Sequence, residues 1–220
     1  MARPAKGYEV DGEKVPGVTT VLNRFKDSGG LIYWAWQQGK DGKDFRETRD
    51  KAADAGTCAH AMIEADWHGM TVDRAFYKPE TLAKADHAFL GYLEWKEQSK
   101  LQIIAPELSL VSRLHRFGGT MDAVMMNNRL TLGDYKTGNA IYADMLIQVA
   151  GGYALLWEEY HHDQKLDGIC IIRFSKPQQP DDPISFHQHF YSAEIFPLAK
   201  RQFLLLREAF DLDKRLAKMI

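Results

Sequence analysis

Three charged side chains stand where strand chemistry disfavours them. Asp122, Asp134 and Lys136 sit among Met, Val and Leu in the stretch from Gly118 to Gly138. Strands are enriched in β-branched and aromatic residues and depleted in Asp and Lys, so these three need a reason to be there. The stretch reads as two strands around Asn127-Asn128, and side chains alternate faces along a strand. A two-residue loop would set Asp122 against Gly133 and send Asp134 to the other face. A three-residue loop, Asn127-Asn128-Arg129, pairs Met126 with Leu130 and Val124 with Leu132. Asp122 then lies across from Asp134, with Lys136 one pleat further on. The apolar pairs select the second register. Opposed carboxylates are unfavourable in a sheet, and small hard cations prefer carboxylate oxygens. The spacing therefore predicts a divalent-metal site with an adjacent lysine.

Other residues of the same chemical character are scattered through the chain. Gly56, His60 and Glu64 recur at i+4 spacing and share a helix face. His60 reads either as a hydrogen-bonded core or surface histidine or as a ligand, and the glycine one turn earlier allows a close approach. Glu107 follows Pro106 within a predicted strand, which suits a bulge or an edge position. It is either a solvated edge residue or a third carboxylate near the metal. Arg113 and Arg116 flank His115 in a short loop, which reads either as a phosphate clamp or as a solvated turn.

The elements that must position these residues follow from periodicity. Residues 7–16 predict a small hairpin turning at Asp11-Gly12. Val18 opens a short helix that Thr19 or Thr20 could cap, and Ser28-Gly29-Gly30 breaks it. Leu31 to Gln38 forms a second helix, whose Trp34 and Trp36 are expected to pack beneath the domain rather than to stack on bases. Lys40 to Lys51 alternates basic and acidic residues, as a solvated, salt-bridged helix face does. Ala52–Trp67 and Lys78–Lys100 are long helices. Strands follow from Leu101 through Lys136, then a helix over Tyr142–Tyr160 with Gln148, Tyr153 and Trp157. Two more strands, Leu166–Phe174 and Ile184–Tyr191, are joined by a loop over Lys176–Pro183, and a last helix covers Ala193–Ala217. This order predicts an α/β sheet with an N-terminal helical cap.

At 220 residues the chain is long enough to bury a sizeable core. A hydrophobic fraction of 45% and a charged fraction of 26% are ordinary for a globular protein. The net charge of -2 offers no global attraction to a polyanion, so any such contact needs a local basic patch. Cys58 and Cys170 cannot supply a four-cysteine zinc or iron–sulfur site, and two reduced thiols suit a cytoplasmic protein. No apolar run reaches membrane-spanning length.

Taken together, Gly56-Thr57-x-x-His60, Glu107, Gly119-Thr-Met-Asp122, Asp134-Tyr-Lys136-Thr137-Gly138 and Gln148 resemble the RecB-like exonuclease branch of the PD-(D/E)XK nucleases. That branch includes phage and bacterial exonucleases and the mitochondrial genome-maintenance exonuclease. The resemblance covers most of the chain, from Pro16 to the helix after Lys136. It implies one nuclease domain over 1–220: a helical cap region, 1–100, and a restriction-endonuclease-like core, a central mixed sheet flanked by helices, over 101–220. It implies that His60, Asp122, Asp134 and the Tyr135 carbonyl hold Mg²⁺ or Mn²⁺, without an iron–sulfur cluster. Lys136 would orient and help deprotonate the attacking water, with Glu107 supporting.

Gln148 and Tyr153 would belong to a DNA-positioning helix motif, with Thr137, Arg113 and Arg116 as further DNA contacts. Tyr153 departs from the pattern, lying five residues after Gln148 where relatives have four. On a regular helix that separates the two by about 140° rather than about 40°, and a π-bulge at Gly151-Gly152 would restore the alignment. The implied activity is a DNA exonuclease leaving 5′-phosphate and 3′-hydroxyl ends, in recombination, repair or replication, in a bacterial or phage-infected cytoplasm. The implied partners are DNA and a recombination or single-strand-binding protein, with no membrane. Two other readings share the residues: an endonuclease using the same centre, and a nuclease-fold protein that binds DNA without cutting it.

Overall fold

The structure, a computed structural model, describes residues 4, 7–26, 29–138, 140–177 and 182–220, without the side chains of Leu31 and Ala52. Part of the expected loop over Lys176–Pro183, and Ser28 of the expected helix break, lie outside the described residues.

A hairpin, β1 (Tyr8–Val10) and β2 (Glu13–Val15), leads into α1 (Val18–Arg24) and α2 (Gly29–Lys40). Two long helices follow, α3 (Phe45–Trp67) and α4 (Pro79–Ser99). Then come β3 (Gln102–Ser112), β4 (Phe117–Met126) and β5 (Leu130–Lys136). One continuous helix returns the chain: α5 (Ala143–Leu146), a π-helical stretch over Ile147–Tyr153, and α6 (Ala154–Tyr160). It ends with β6 (Gly168–Phe174), β7 (Phe186–Ser192) and α7 (Phe196–Ala217). The five main strands form one sheet in the order β3-β4-β5-β6-β7. β5 and β6 run parallel and the other neighbours antiparallel, so this is a mixed sheet flanked by helices, as expected. The crossover from β5 to β6 uses a helix because parallel strands cannot be joined by a tight turn.

Strand alternation feeds a core on each face. Phe117, Val124, Leu132, Ile169 and Ile171 pack with α1, the π-helical stretch, α6 and α7. Ala123, Met125, Tyr135, Ile172 and Phe174 pack with α3 and α4. The N-terminal helices α3 and α4 thus form the layer over one face. Tyr92 and Trp95 of α4 are fully buried there, and each aromatic buried in this way contributes about 1.5–3 kcal/mol. Their polar ends are satisfied: Tyr92 OH donates to Asp66 Oδ2 at 2.6 Å and Trp95 Nε1 to Gln188 Oε1 at 2.6 Å.

Three local expectations change. The N-cap of α1 is Gly17, with no side-chain cap from Thr19 or Thr20. The basic–acidic run from Lys40 to Lys51 spans a turn, and Asp44 starts α3 by accepting from the Arg46 N–H at 2.8 Å. Trp36 does not pack beneath the domain. It lies exposed on α2 beside Ile32 and Tyr33, with Lys40 Nζ over its ring at 4.5 Å, because α2 turns that face away from both cores.

Candidate metal centre and its supports

The turn between β4 and β5 is the three-residue one. Met126 pairs with Leu130, Val124 with Leu132 and Ala123 with Gly133, while Asn128 takes a left-handed φ of 55°, a conformation Asn tolerates. By count the next pair is Asp122 and Asp134, but the ladder stops one residue short of it. There the strands part, and the Tyr135 N–H donates to Asp122 Oδ2 at 2.7 Å instead of to a β4 carbonyl. A side chain has taken over a ladder bond, which pins the Asp122 carboxylate.

The irregularity extends into β3. Glu107 lies between Pro106, which faces Ala123, and Leu108, which faces Met121. That places Glu107 level with Asp122 across the pair. Its φ is 48°, unusual for a residue other than glycine and a sign that the backbone turns to re-aim the side chain. On β4, Met121 joins one core and Ala123 the other, so alternation slips at Asp122. Both edge-side strands therefore break step at the same level. The result is a cluster: ligand atoms of His60, Glu107 and Asp122 all lie within 4.8 Å of one another. His60 reaches it from α3, its Nδ1 3.8 Å from Asp122 Oδ2.

Glu64, one turn after His60, is the acid that sequence reasoning left unused. Burial pushes the Glu107 carboxyl up to about 8, and the charges of Asp122 and Glu64 push it the same way. The i+4 spacing from His60 was the available signal. Close approach of α3 depends on Gly56, where a methyl group would come within 3.2 Å of Thr137 Oγ1. That contact places Thr137 beside α3.

Asp134 is buried and lies outside the His60–Glu107–Asp122 group. Its Oδ2 is 2.6 Å from Lys136 Nζ, a buried ion pair. Burial raises the Asp134 pKa, Lys136 opposes it, and Asp122 adds to the rise. Burial disfavours the Lys136 ammonium, but the carboxylates of Asp134 and Asp122 outweigh it, and Lys136 sits above its ordinary value. The chain by itself holds Lys136 charged; a cation would oppose this.

The Lys136 ammonium also reaches Gln148 Oε1 at 3.4 Å, and Gln148 Nε2 donates to Tyr153 OH at 2.7 Å. Five residues separate Gln148 and Tyr153, and the π-helical stretch realigns them. Gly151 and Gly152 serve close packing within it. A methyl group on Gly151 would lie 2.6 Å from the Ala199 carbonyl of α7, and one on Gly152 2.6 Å from Val18 Cγ1 of α1. Tyr153 is buried, and its hydroxyl accepts from Gln148.

Arg113 and Arg116 are not brought to this centre. They sit at the far turn of β3 and β4, about 20 Å along the strands from Glu107 and Asp122 at 3.3 Å per residue. Arg113 pairs with Asp11 at 2.5 Å and Arg116 with Glu13, so the N-terminal hairpin already neutralises both. The residues that gather are His60, Glu107, Asp122, Asp134, Lys136 and Gln148, three acids against one lysine. The raised carboxyls of Glu107 and Asp134 and the mixed nitrogen–oxygen donor set fit a divalent cation.

No protein-family model matches this chain, and no curated protein matches it. Among solved structures it is similar to LHK-Exo in complex with dAMP, with a TM-score of 0.37 and 10% identity over 73% of this chain and 85% of the other. A second structure, of an alkaline exonuclease (LHK-Exo) from Laribacter hongkongensis, gives a TM-score of 0.35 at 13% identity, covering 73% and 84%. The structure of SSO0001 gives 0.31 at 13% identity, covering 70% and 74%.

Proposed function

We propose that this chain is a divalent-metal-dependent DNA exonuclease that hydrolyses phosphodiester bonds to leave 5′-phosphate and 3′-hydroxyl ends. One observation carries the reading: His60, Glu107 and Asp122 converge from a helix and two strands, beside a buried Asp134–Lys136 pair. The order of the same residues along the chain, with its resemblance to RecB-like exonucleases, supplies the reaction class.

A phosphodiester is anionic and repels hydroxide, so its hydrolysis needs charge neutralisation and a nucleophile made in place. Mg²⁺ or Mn²⁺ held by His60, Glu107 and Asp122, with Asp134 beside them, would supply both by polarising a phosphoryl oxygen and acidifying a water. Glu107 must give up its carboxyl proton to join that set. Asp122 is oriented for it by the Tyr135 N–H. Lys136 is held in place by Asp134 and Gln148. Once its ammonium gives up a proton, its Nζ can accept one from the attacking water.

The test is cleavage of end-labelled linear DNA by the purified chain with Mg²⁺ or Mn²⁺. Asp122→Ala, Asp134→Ala and Lys136→Ala are each expected to lower the rate by at least about 10²-fold while far-UV circular dichroism is unchanged. Wild-type rates in any of the three would sink the assignment. Cutting of a circular single strand would replace the exonuclease reading with an endonuclease one. Metal binding without any cleavage would mark a DNA-binding protein.

A further inference from the structure

Helix α7 carries two apolar stripes. Phe196, Ala199, Phe203 and Phe210 face the core. About 150° round the helix, at 100° per residue, run Leu198, Leu205, Leu212 and Leu216, between 50% and 75% exposed. With Gln202 and Ala209 they recur at alternating four- and three-residue steps, the heptad spacing of a helix that packs against another helix. A surface helix needs one apolar stripe, and the second has no partner among the described residues.

We propose that α7 is a dimerisation helix, pairing with α7 of a second copy of this chain in antiparallel orientation. Its layers would set Leu205 against the partner subunit's Leu216 and Ala209 against the partner subunit's Leu212, each occurring twice about the two-fold axis. This inference is independent of the function proposed above.

Charge selects both the occupant and the register. Glu208 and Arg215 flank the stripe on its solvent side, and neither has an ion-pair partner among the described residues. In the antiparallel register given, Glu208 meets the partner subunit's Arg215 and Arg215 meets the partner subunit's Glu208, two attractive pairs. Sliding the helices one heptad in one direction sets Glu208 against its own copy and Arg201 against Arg215. Sliding one heptad the other way sets Arg215 against itself. A parallel pair places Glu208 against Asp213. Each of these arrangements puts like charges together, which heptad flanking positions disfavour. The remaining antiparallel register that pairs Arg201 with Glu208 centres the polar Gln202 and leaves Leu212 and Leu216 in water. A second copy of this chain in the first register pairs Leu205, Leu212 and Leu216 and satisfies the charges at once, with Leu198 outside the paired layers.

Sedimentation equilibrium of the full chain is expected to show a reversible monomer–dimer equilibrium. Glu208→Arg or Arg215→Glu should each weaken the dimer about tenfold or more, and the double variant should restore it. Leu212→Asn should give a folded monomer, checked by circular dichroism. Orientation is read by mixing Leu205→Cys with Leu216→Cys chains, which should form a mixed disulfide under mild oxidation. A chain that stays monomeric at its highest soluble concentration overturns the proposal. So does a trimer, an association that does not saturate at two copies, or a double charge variant as weak as the singles.

Discussion

Glu107 is the residue through which pH should act most directly. Its ordinary carboxyl value is 4.5, and the fold raises it to about 8. The folded chain therefore binds more protons than the unfolded one between these values, and stability falls as pH rises through that window. The raised Asp134 carboxyl works in the same direction. Urea unfolding with a chelator present is expected to show a midpoint that declines from pH 5 to pH 8, with a smaller decline in Glu107→Gln. Affinity for Mn²⁺ should move the opposite way, rising with pH toward 8 as Glu107 ionises, and calorimetric titration across pH reads this directly. A second expectation concerns Tyr153. Tyr153→Phe removes the oxygen to which Gln148 donates, and should cost about 0.5–1.5 kcal/mol of stability. Mn²⁺ affinity should be unchanged, because none of the three converging ligands touches that hydroxyl. At this scale Asp122, Asp134 and Lys136 were visible in the sequence as charges out of place. Glu107 stayed ambiguous because a left-handed φ cannot be read from Pro106-Glu107-Leu108.

The π-helical stretch shows what an element can hide. The interval from Gln148 to Tyr153 looks wrong for a regular helix, and the sequence offered a π-bulge as one resolution. The structure has it over seven residues, Ile147–Tyr153. The glycines inside it lie where α7 and α1 press closest, so Gly151→Ala should push a methyl group into the Ala199 carbonyl. Overpacking against backbone typically costs about 1–3 kcal/mol. Chemical denaturation should show a loss in that range, and a neutral result would mean that α7 shifts readily. The splayed end of the β4–β5 ladder makes the same point from the strand side. Counting residues puts Asp122 across from Asp134, but the strands separate there and Tyr135 bonds to a side chain.

Over the whole molecule, one sheet joins two cores. β4 and β5 contribute alternate residues to both: Val124 and Leu132 to one face, Met125 and Tyr135 to the other. Neither core can lose its strands without exposing the other, so unfolding should be a single transition. Tryptophan fluorescence, which Trp95 reports from one core and Trp157 from the other, should coincide with far-UV circular dichroism. Separate midpoints would show that α3 and α4 unfold on their own. The two exposed apolar helix faces differ in kind at this scale. On α2 the exposed aromatics follow no heptad, whereas on α7 the leucines do and are flanked by complementary charge.

The sequence by itself determined the element order, the three-residue turn, and the residue types able to hold a cation beside a lysine. Those properties are local: periodicity, turn length and side-chain chemistry act over a few residues. What only the tertiary structure decided is which carboxylates meet. A helix from residue 60 and two strands that break step together bring His60, Glu107 and Asp122 within 4.8 Å, and Asp134 stands beside them with Lys136. The same packing ties Arg113 and Arg116 to a distant hairpin. The approach of His60 to Asp122 and the pairing of both arginines with the hairpin each cross tens of residues of chain. They follow from how both faces of the sheet were covered, which no spacing along the sequence records.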